Sequence, residues 1–167
     1  RDPAVPLHRA SGRPDRRDQA RRLLCRHGTR DSPVRTPART GETREPLALV
    51  DMPEPVPKDN EILIKVSVCG VCHTELDEIE GRTPPPNLPV VPGHQVFGRV
   101  AIAGESVTKF SAGDRVGVAW IHSACGHCYL CTSGAENLCA SFTATGRDAH
   151  GGYAEYMTVD ENFAYLI

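Results

Sequence analysis

Aromatic residues are scarce in this chain, at 5% of 167 positions with a single Trp, while Gly and Pro together supply 29. That balance argues against a helix bundle and for a turn-rich β domain. Long apolar runs are missing too. None approaches the roughly 20 residues needed to span a bilayer, and no charged start leads into an apolar stretch as a secretory signal would. Cysteines without such a signal suit a reducing compartment, by default the cytoplasm. No G-x-G-x-x-G follows a strand pattern anywhere, so nothing here would cradle a dinucleotide pyrophosphate.

Lys, Ile and aromatic residues are all absent from residues 1–43, where Arg and Pro recur. Residues 1–44 hold twelve Arg against five acids, a local charge of +7; residues 45–167 hold seven basic residues against sixteen acids, a charge of −9. The first segment cannot bury enough apolar surface to offset its ordering entropy. It is expected to be disordered, with at most a short helix near Gln19–Cys25. A nucleic-acid arm would need aromatic rings interleaved with the Arg residues, and a transit peptide would lack Asp2, Asp15, Asp18 and Asp31. The acidic remainder also argues against a nucleic-acid partner, because phosphate contacts need a basic face.

What is present is a run of short strands. Glu61–Val68 is dense in β-branched residues and bounded by turn formers. Val96–Ala103 is a second strand, with Gly98 marking a bulge or bend. Arg115–Trp120, Tyr153–Val159 and Phe163–Ile167 read as three more. Leu47–Val50 is a short apolar run, Met52–Pro57 an extended loop, and Cys72–Glu80 an acidic helix ended by Gly81. Five or more strands with one small helix predict a mainly-β, barrel-like domain over residues 44–167.

Cys125, Cys128, Cys131 and Cys139 follow a C-x2-C-x2-C-x7-C spacing. Two-residue gaps let a tight turn aim thiolates at one point, and four thiolates close a tetrahedral zinc shell with no open position. That is a structural zinc pattern. A pair of disulfides, or four clustered buried thiols, is the blander alternative and is outweighed by the spacing. Cys69, Cys72, His73 and His94 form a second group, which alone would be read as a buried thiol and a core histidine.

Together the motifs Gly70-Val-Cys72-His-Thr-Glu-Leu, Pro92-Gly-His94-Gln-Val-Phe-Gly98, Gly113-Asp-Arg-Val116, the four cysteines and Gly151-Gly-Tyr-Ala-Glu-Tyr156 occur in one order. From about residue 44 onward this series resembles the zinc-dependent alcohol dehydrogenases of the medium-chain dehydrogenase/reductase superfamily. The resemblance implies a GroES-like, partly open β-barrel with short helices and a zinc-binding lobe. It implies Cys72 and His94 as ligands of a catalytic zinc, and Cys125, Cys128, Cys131 and Cys139 as those of a structural zinc. Thr74 matches the hydroxyl that takes the alcohol proton, His73 a basic residue near the cofactor pyrophosphate, and Glu75 an acid that orients the ligand histidine. Trp120 matches a wall of the substrate pocket; Cys69 matches no ligand and reads as a core thiol.

The activity so implied is oxidation of an alcohol to an aldehyde or ketone by hydride transfer to NAD or NADP. The substrate is then a small alcohol or aldehyde, with neither nucleic acid nor membrane as partner, and the full-length parent is a homo-oligomer. The sequence departs from the pattern in four places. Gln95 stands where many relatives carry Glu. The third catalytic ligand would lie beyond Ile167, leaving an incomplete shell. The nucleotide-binding Rossmann domain is missing from these residues, so the chain is expected to be a catalytic-domain fragment without turnover of its own. The family's first strand should lie just upstream of Leu47, where the Arg/Pro-rich stretch sits, leaving an unpaired edge. A non-catalytic zinc-binding or interaction module is the alternative reading.

Overall fold

The computed structural model describes residues 34–38 and 46–167, all within one compact unit, residues 31–167. Nine strands are described: β1 (Val34–Ala38), β2 (Ala48–Met52), β3 (Glu61–Cys69), β4 (Val96–Ala103), β5 (Arg115–Val118), β6 (Ile121–Ser123), β7 (Thr143–Ala144), β8 (Tyr156–Asp160) and β9 (Ala164–Leu166). Among the described residues two short α-helices accompany them, α1 (His73–Ile79) and α2 (Tyr129–Thr132). A five-stranded antiparallel sheet in the order β8-β3-β4-β5-β9 forms the body, and two-stranded ladders β1-β2 and β6-β7 flank it. The mainly-β expectation holds, with the sheet curled into a half-barrel.

Strand alternation explains the core. Along β8, Met157 and Val159 turn inward while their neighbours are only half-buried, the period of two that a one-sided strand requires. They meet Ile62 and Ile64 of β3, Val96 and Val100 of β4, and Val116 and Val118 of β5 in one apolar cluster.

Gly98 does mark an irregularity, but the extra residue lies on the partner strand. Val66 pairs with Gly98 and Val68 with Phe97, so Ser67 has no opposite number. A side chain at Gly98 would run into the carbonyl of Lys65, and only glycine lets the bulged strand come so near.

Three expected boundaries move, two of them for a hydrogen-bonding reason. Strand β8 begins at Tyr156 rather than Tyr153. The amides of Gly151, Gly152 and Tyr153 donate to the carbonyls of Val91, Gly93 and Pro92 at 2.7, 2.8 and 3.0 Å, clamping a loop in place of continuing a ladder. Strand β9 starts at Ala164 because a 3-10 turn, Glu161–Phe163, precedes it, with Glu161 N donating to the Asn60 carbonyl at 3.0 Å and Asn162 N to the Asp160 carboxylate at 2.8 Å. The third strand ends at Val118, and Trp120 sits in the break before β6.

The largest correction concerns residues 1–43. Five of them form β1, which pairs with β2 from Val34↔Met52 to Ala38↔Ala48. For residues 34–38 the expectation of disorder fails, and β2 has an antiparallel partner in a ladder separate from the five-stranded sheet. Thr36 and Ala38 are buried, so small side chains on one face suffice for a ribbon held by its backbone ladder. Pro37 is tolerated because such a strand lies at an edge. The helix expected near Gln19–Cys25 and the rest of the stretch expected to be disordered lie outside the described residues.

The clamp at Gly151 permits a first prediction. A side-chain carbon there would overlap the Gly93 carbonyl oxygen and approach Gly146 Cα to 2.8 Å. Both are backbone atoms that cannot swing away. Gly151→Ala should destabilise the domain by about 3 kcal/mol, read as a lower denaturation midpoint at unchanged m-value.

Candidate metal and alcohol site

Four sulfurs gather in the loop between β6 and β7. Gly126 and Gly134, with φ of +75° and +80°, take the left-handed turns that bring the chain round. The Sγ atoms of Cys125 and Cys131 lie 3.8 Å apart, those of Cys128 and Cys131 3.6 Å, and those of Cys128 and Cys139 3.8 Å. All four ligand atoms fall within 4.8 Å of one another. Thiolates at 2.3 Å from a tetrahedral zinc would be about 3.8 Å apart, whereas a disulfide brings sulfurs to about 2.05 Å. The quartet fits a metal and is not disulfide-bonded. Backbone amides of His127 and Cys128 pull the Cys125 thiol down to about 6. Burial pushes Cys131 up to about 12. Anionic sulfur therefore forms readily at Cys125, and a cation beside Cys131 would offset the burial that opposes its ionisation.

The second group is built by the start of α1 and the loop before β4. Cys72 is the N-cap residue of α1, and its backbone N–H donates to Glu75 Oε2 at 2.7 Å, the acidic half of a capping box. The other carboxylate oxygen, Oε1, lies 2.8 Å from Nδ1 of His94. The contact has the distance of an ion pair, and Oε1 remains a buried acceptor without a hydrogen bond. Glu75 is 3% exposed and His94 7%. One buried carboxylate thus bridges both expected ligands, and with Nδ1 turned to it, Nε2 is the ring nitrogen left for a metal. An under-satisfied carboxylate beside a histidine is the donor chemistry a cation would complete, so these residues fit zinc. Cys72 Sγ is 3.7 Å from Thr74 Oγ1, so thiol, hydroxyl and imidazole share one neighbourhood.

Two side chains brace it. Tyr153 donates its hydroxyl to the Gly70 carbonyl at 3.5 Å, and its ring leaves no room for a Cβ on Gly93. It thereby ties the Cys72 loop to the His94 loop, and burial pushes its hydroxyl up to about 12. Cys69 packs against the core from beneath Gly93 and Gly152, with its thiol raised by burial, as a core thiol should.

The other expected residues sit differently. His73 is largely exposed and faces Asp77 at 3.7 Å, away from the Glu75 bridge. Trp120 is 41% exposed and packs on Phe142, their ring centroids 5.0 Å apart with planes inclined at 53°. Phe142 is absent from the sequence reading; its signal was an aromatic residue three positions after the last clustered cysteine. A cavity of about 360 Å³ is lined by Thr36, Val91, His122, Arg147 and His150. It touches none of the metal-ligating candidates.

A half-barrel carrying a four-thiolate lobe and a carboxylate-bridged Cys–His pair defines a zinc-type dehydrogenase domain, and comparison with known proteins agrees. The family model for the alcohol dehydrogenase GroES-like domain matches residues 58–167. An alcohol dehydrogenase of Moraxella sp. (strain TAE123) is 42% identical over 127 residues, which cover 75% of this chain and 38% of that protein. One from Geobacillus stearothermophilus is 43% identical over 125 residues, covering 74% and 37%. Among solved structures, a thermostable alcohol dehydrogenase from Pyrobaculum aerophilum with cobalt and zinc bound aligns with a TM-score of 0.75 at 33% identity, over 80% of this chain and 41% of that one. The chain belongs to the alcohol dehydrogenase GroES-like domain family of zinc-dependent medium-chain dehydrogenases. It spans well under half the length of these relatives.

Proposed function

We propose that this chain is the substrate- and metal-binding domain of an NAD(P)-dependent alcohol dehydrogenase. What supports the reading is the Glu75 carboxylate, which reaches the Cys72 backbone with one oxygen and His94 with the other. Cys72 and His94 would hold a catalytic zinc together with a third ligand outside these 167 residues, and Cys125, Cys128, Cys131 and Cys139 a structural one. When bound, the catalytic zinc supplies Lewis-acid polarisation of the alcohol oxygen, and NAD or NADP takes up the hydride.

The residues of the chain do the rest. Glu75 holds the His94 ring in the tautomer that leaves Nε2 bare. Thr74, beside the Cys72 sulfur, accepts the hydroxyl proton of the alcohol at Oγ1 and passes on its own. His73, exposed at the start of α1, meets the cofactor pyrophosphate. Trp120 forms one wall against the carbon skeleton of a small alcohol or aldehyde.

Grafting this chain onto the cofactor-binding half of the Geobacillus stearothermophilus relative tests the reading directly. The chimera should oxidise primary alcohols with NAD or NADP, while the 167-residue chain alone should not. Thr74→Ala should lower kcat by about 10²-fold, and Thr74→Ser should keep most of it. A folded, zinc-loaded chimera with no turnover would refute the assignment.

A further inference from the structure

Trp120 and Phe142 stand at the two ends of the metal-holding loop. Trp120 immediately precedes β6, and Phe142 immediately precedes β7. The ladder between them is short, with Ile121 opposite Ala144 and Ser123 opposite Thr143. The Ser123 and Thr143 hydroxyls meet at 2.7 Å. The Trp120 carbonyl accepts from Thr145 N at 2.8 Å, which fixes the backbone but leaves the indole, 41% exposed, to be held by the Phe142 ring. Phe142 is in turn anchored to the last sulfur ligand. Its amide donates to the Cys139 carbonyl at 3.0 Å, and Ser141 N donates to Cys139 Sγ at 3.3 Å.

We infer that Phe142 is a positioning residue that couples metal occupancy of the Cys125–Cys139 loop to the orientation of Trp120. Four thiolates drawn onto one cation hold Cys139 in place, and with it the short segment that carries the Phe142 ring. Without the cation nothing ties the four sulfurs to one point, and a loop whose own helix is four residues long loosens. The ring leaves the indole, and Trp120 gains solvent and freedom. The consequence for alcohol binding rests on the reading of Trp120 as a pocket wall. The coupling itself rests only on this contact chain. A loop that performs no chemistry thereby sets the shape of the surface where chemistry occurs.

Trp120 is the single tryptophan of the chain, so its emission reports the coupling directly. Stripping zinc from the loaded chain with a chelator should shift that emission to longer wavelength and lower its anisotropy, and zinc should restore both. In Phe142→Leu, which removes the ring, more than half of the shift should disappear while the cobalt–thiolate absorption of the substituted quartet stays as in the wild type. Phe142→Tyr should respond like the wild type. If Phe142→Leu does not load metal, Phe142→Met serves as the ringless variant and is read in the same way. An unshifted wild-type emission, or an equal shift in the ringless variant with its quartet loaded, overturns the coupling. No alcohol enters the measurement, so that failure leaves the dehydrogenase reading standing, and an inactive chimera leaves the emission response intact.

Discussion

Cys131→Ser should strip the loop of its metal, about one equivalent of zinc per chain, and unfold the segment between β6 and β7. The sulfur removed is buried and lies 3.6 Å from Cys128 and 3.8 Å from Cys125. The loop around it has little else to hold it. Its helix α2 is four residues long, too short to persist alone, and Tyr129 and Leu138 are exposed. Binding a structural zinc releases on the order of 10 kcal/mol in small thiolate sites, which exceeds anything this loop buries. Metal analysis and limited proteolysis read the result together: less zinc, and new cleavage within residues 125–139. Cys72→Ser should leave both unchanged. Retention of full zinc by Cys131→Ser, with Cys72→Ser losing it, would place the metal at the other group.

Glu75→Gln should weaken zinc binding at the Cys72–His94 pair by about 10- to 100-fold and lower the kcat/KM of the chimera in proportion. The amide still offers an oxygen to the Cys72 backbone N–H, so α1 keeps its cap and folding changes little. Its NH2 group, however, opposes the Nδ1–H of His94, and the imidazole must shift its proton to Nε2, the nitrogen the metal needs. Glu75→Ala should do the same and cost a further 1–3 kcal/mol or so of stability, because the Cys72 amide then loses its acceptor. Competition for zinc with a coloured chelator gives the affinities, and denaturation gives the stabilities. Equal zinc affinity in Glu75→Gln and wild type would show that the carboxylate only caps the helix.

Much of this protein was legible before its coordinates. Ligand chemistry is local: C-x2-C-x2-C places three sulfurs within two turns, and nothing distant is required to bring them together, so the lobe could be read residue by residue. The strands β3 and β4 were equally plain, because β-branched alternation and bounding glycines are properties of a single segment. Residue order across five motifs extended that reading to Cys72 and His94, which spacing alone could not join, since 21 intervening residues carry no distance information.

Long-range hydrogen bonding decided what remained. Composition made residues 34–38 look unfoldable, yet a ribbon needs only a partner in register, and β2 supplies one. The Gly151–Tyr153 amides look like the start of a strand, but their carbonyl partners lie in the segment just before His94, so they serve the site instead of the sheet. The Glu75 bridge and the Trp120–Phe142 contact depend on where elements meet, which no pattern of one segment encodes. Residue type and short spacing, both local, were enough to single out the four sulfurs that come together at Cys125–Cys139. Tertiary structure alone decided which carboxylate aims His94 and which ring supports Trp120, because those contacts exist only once separate turns of the chain are packed together.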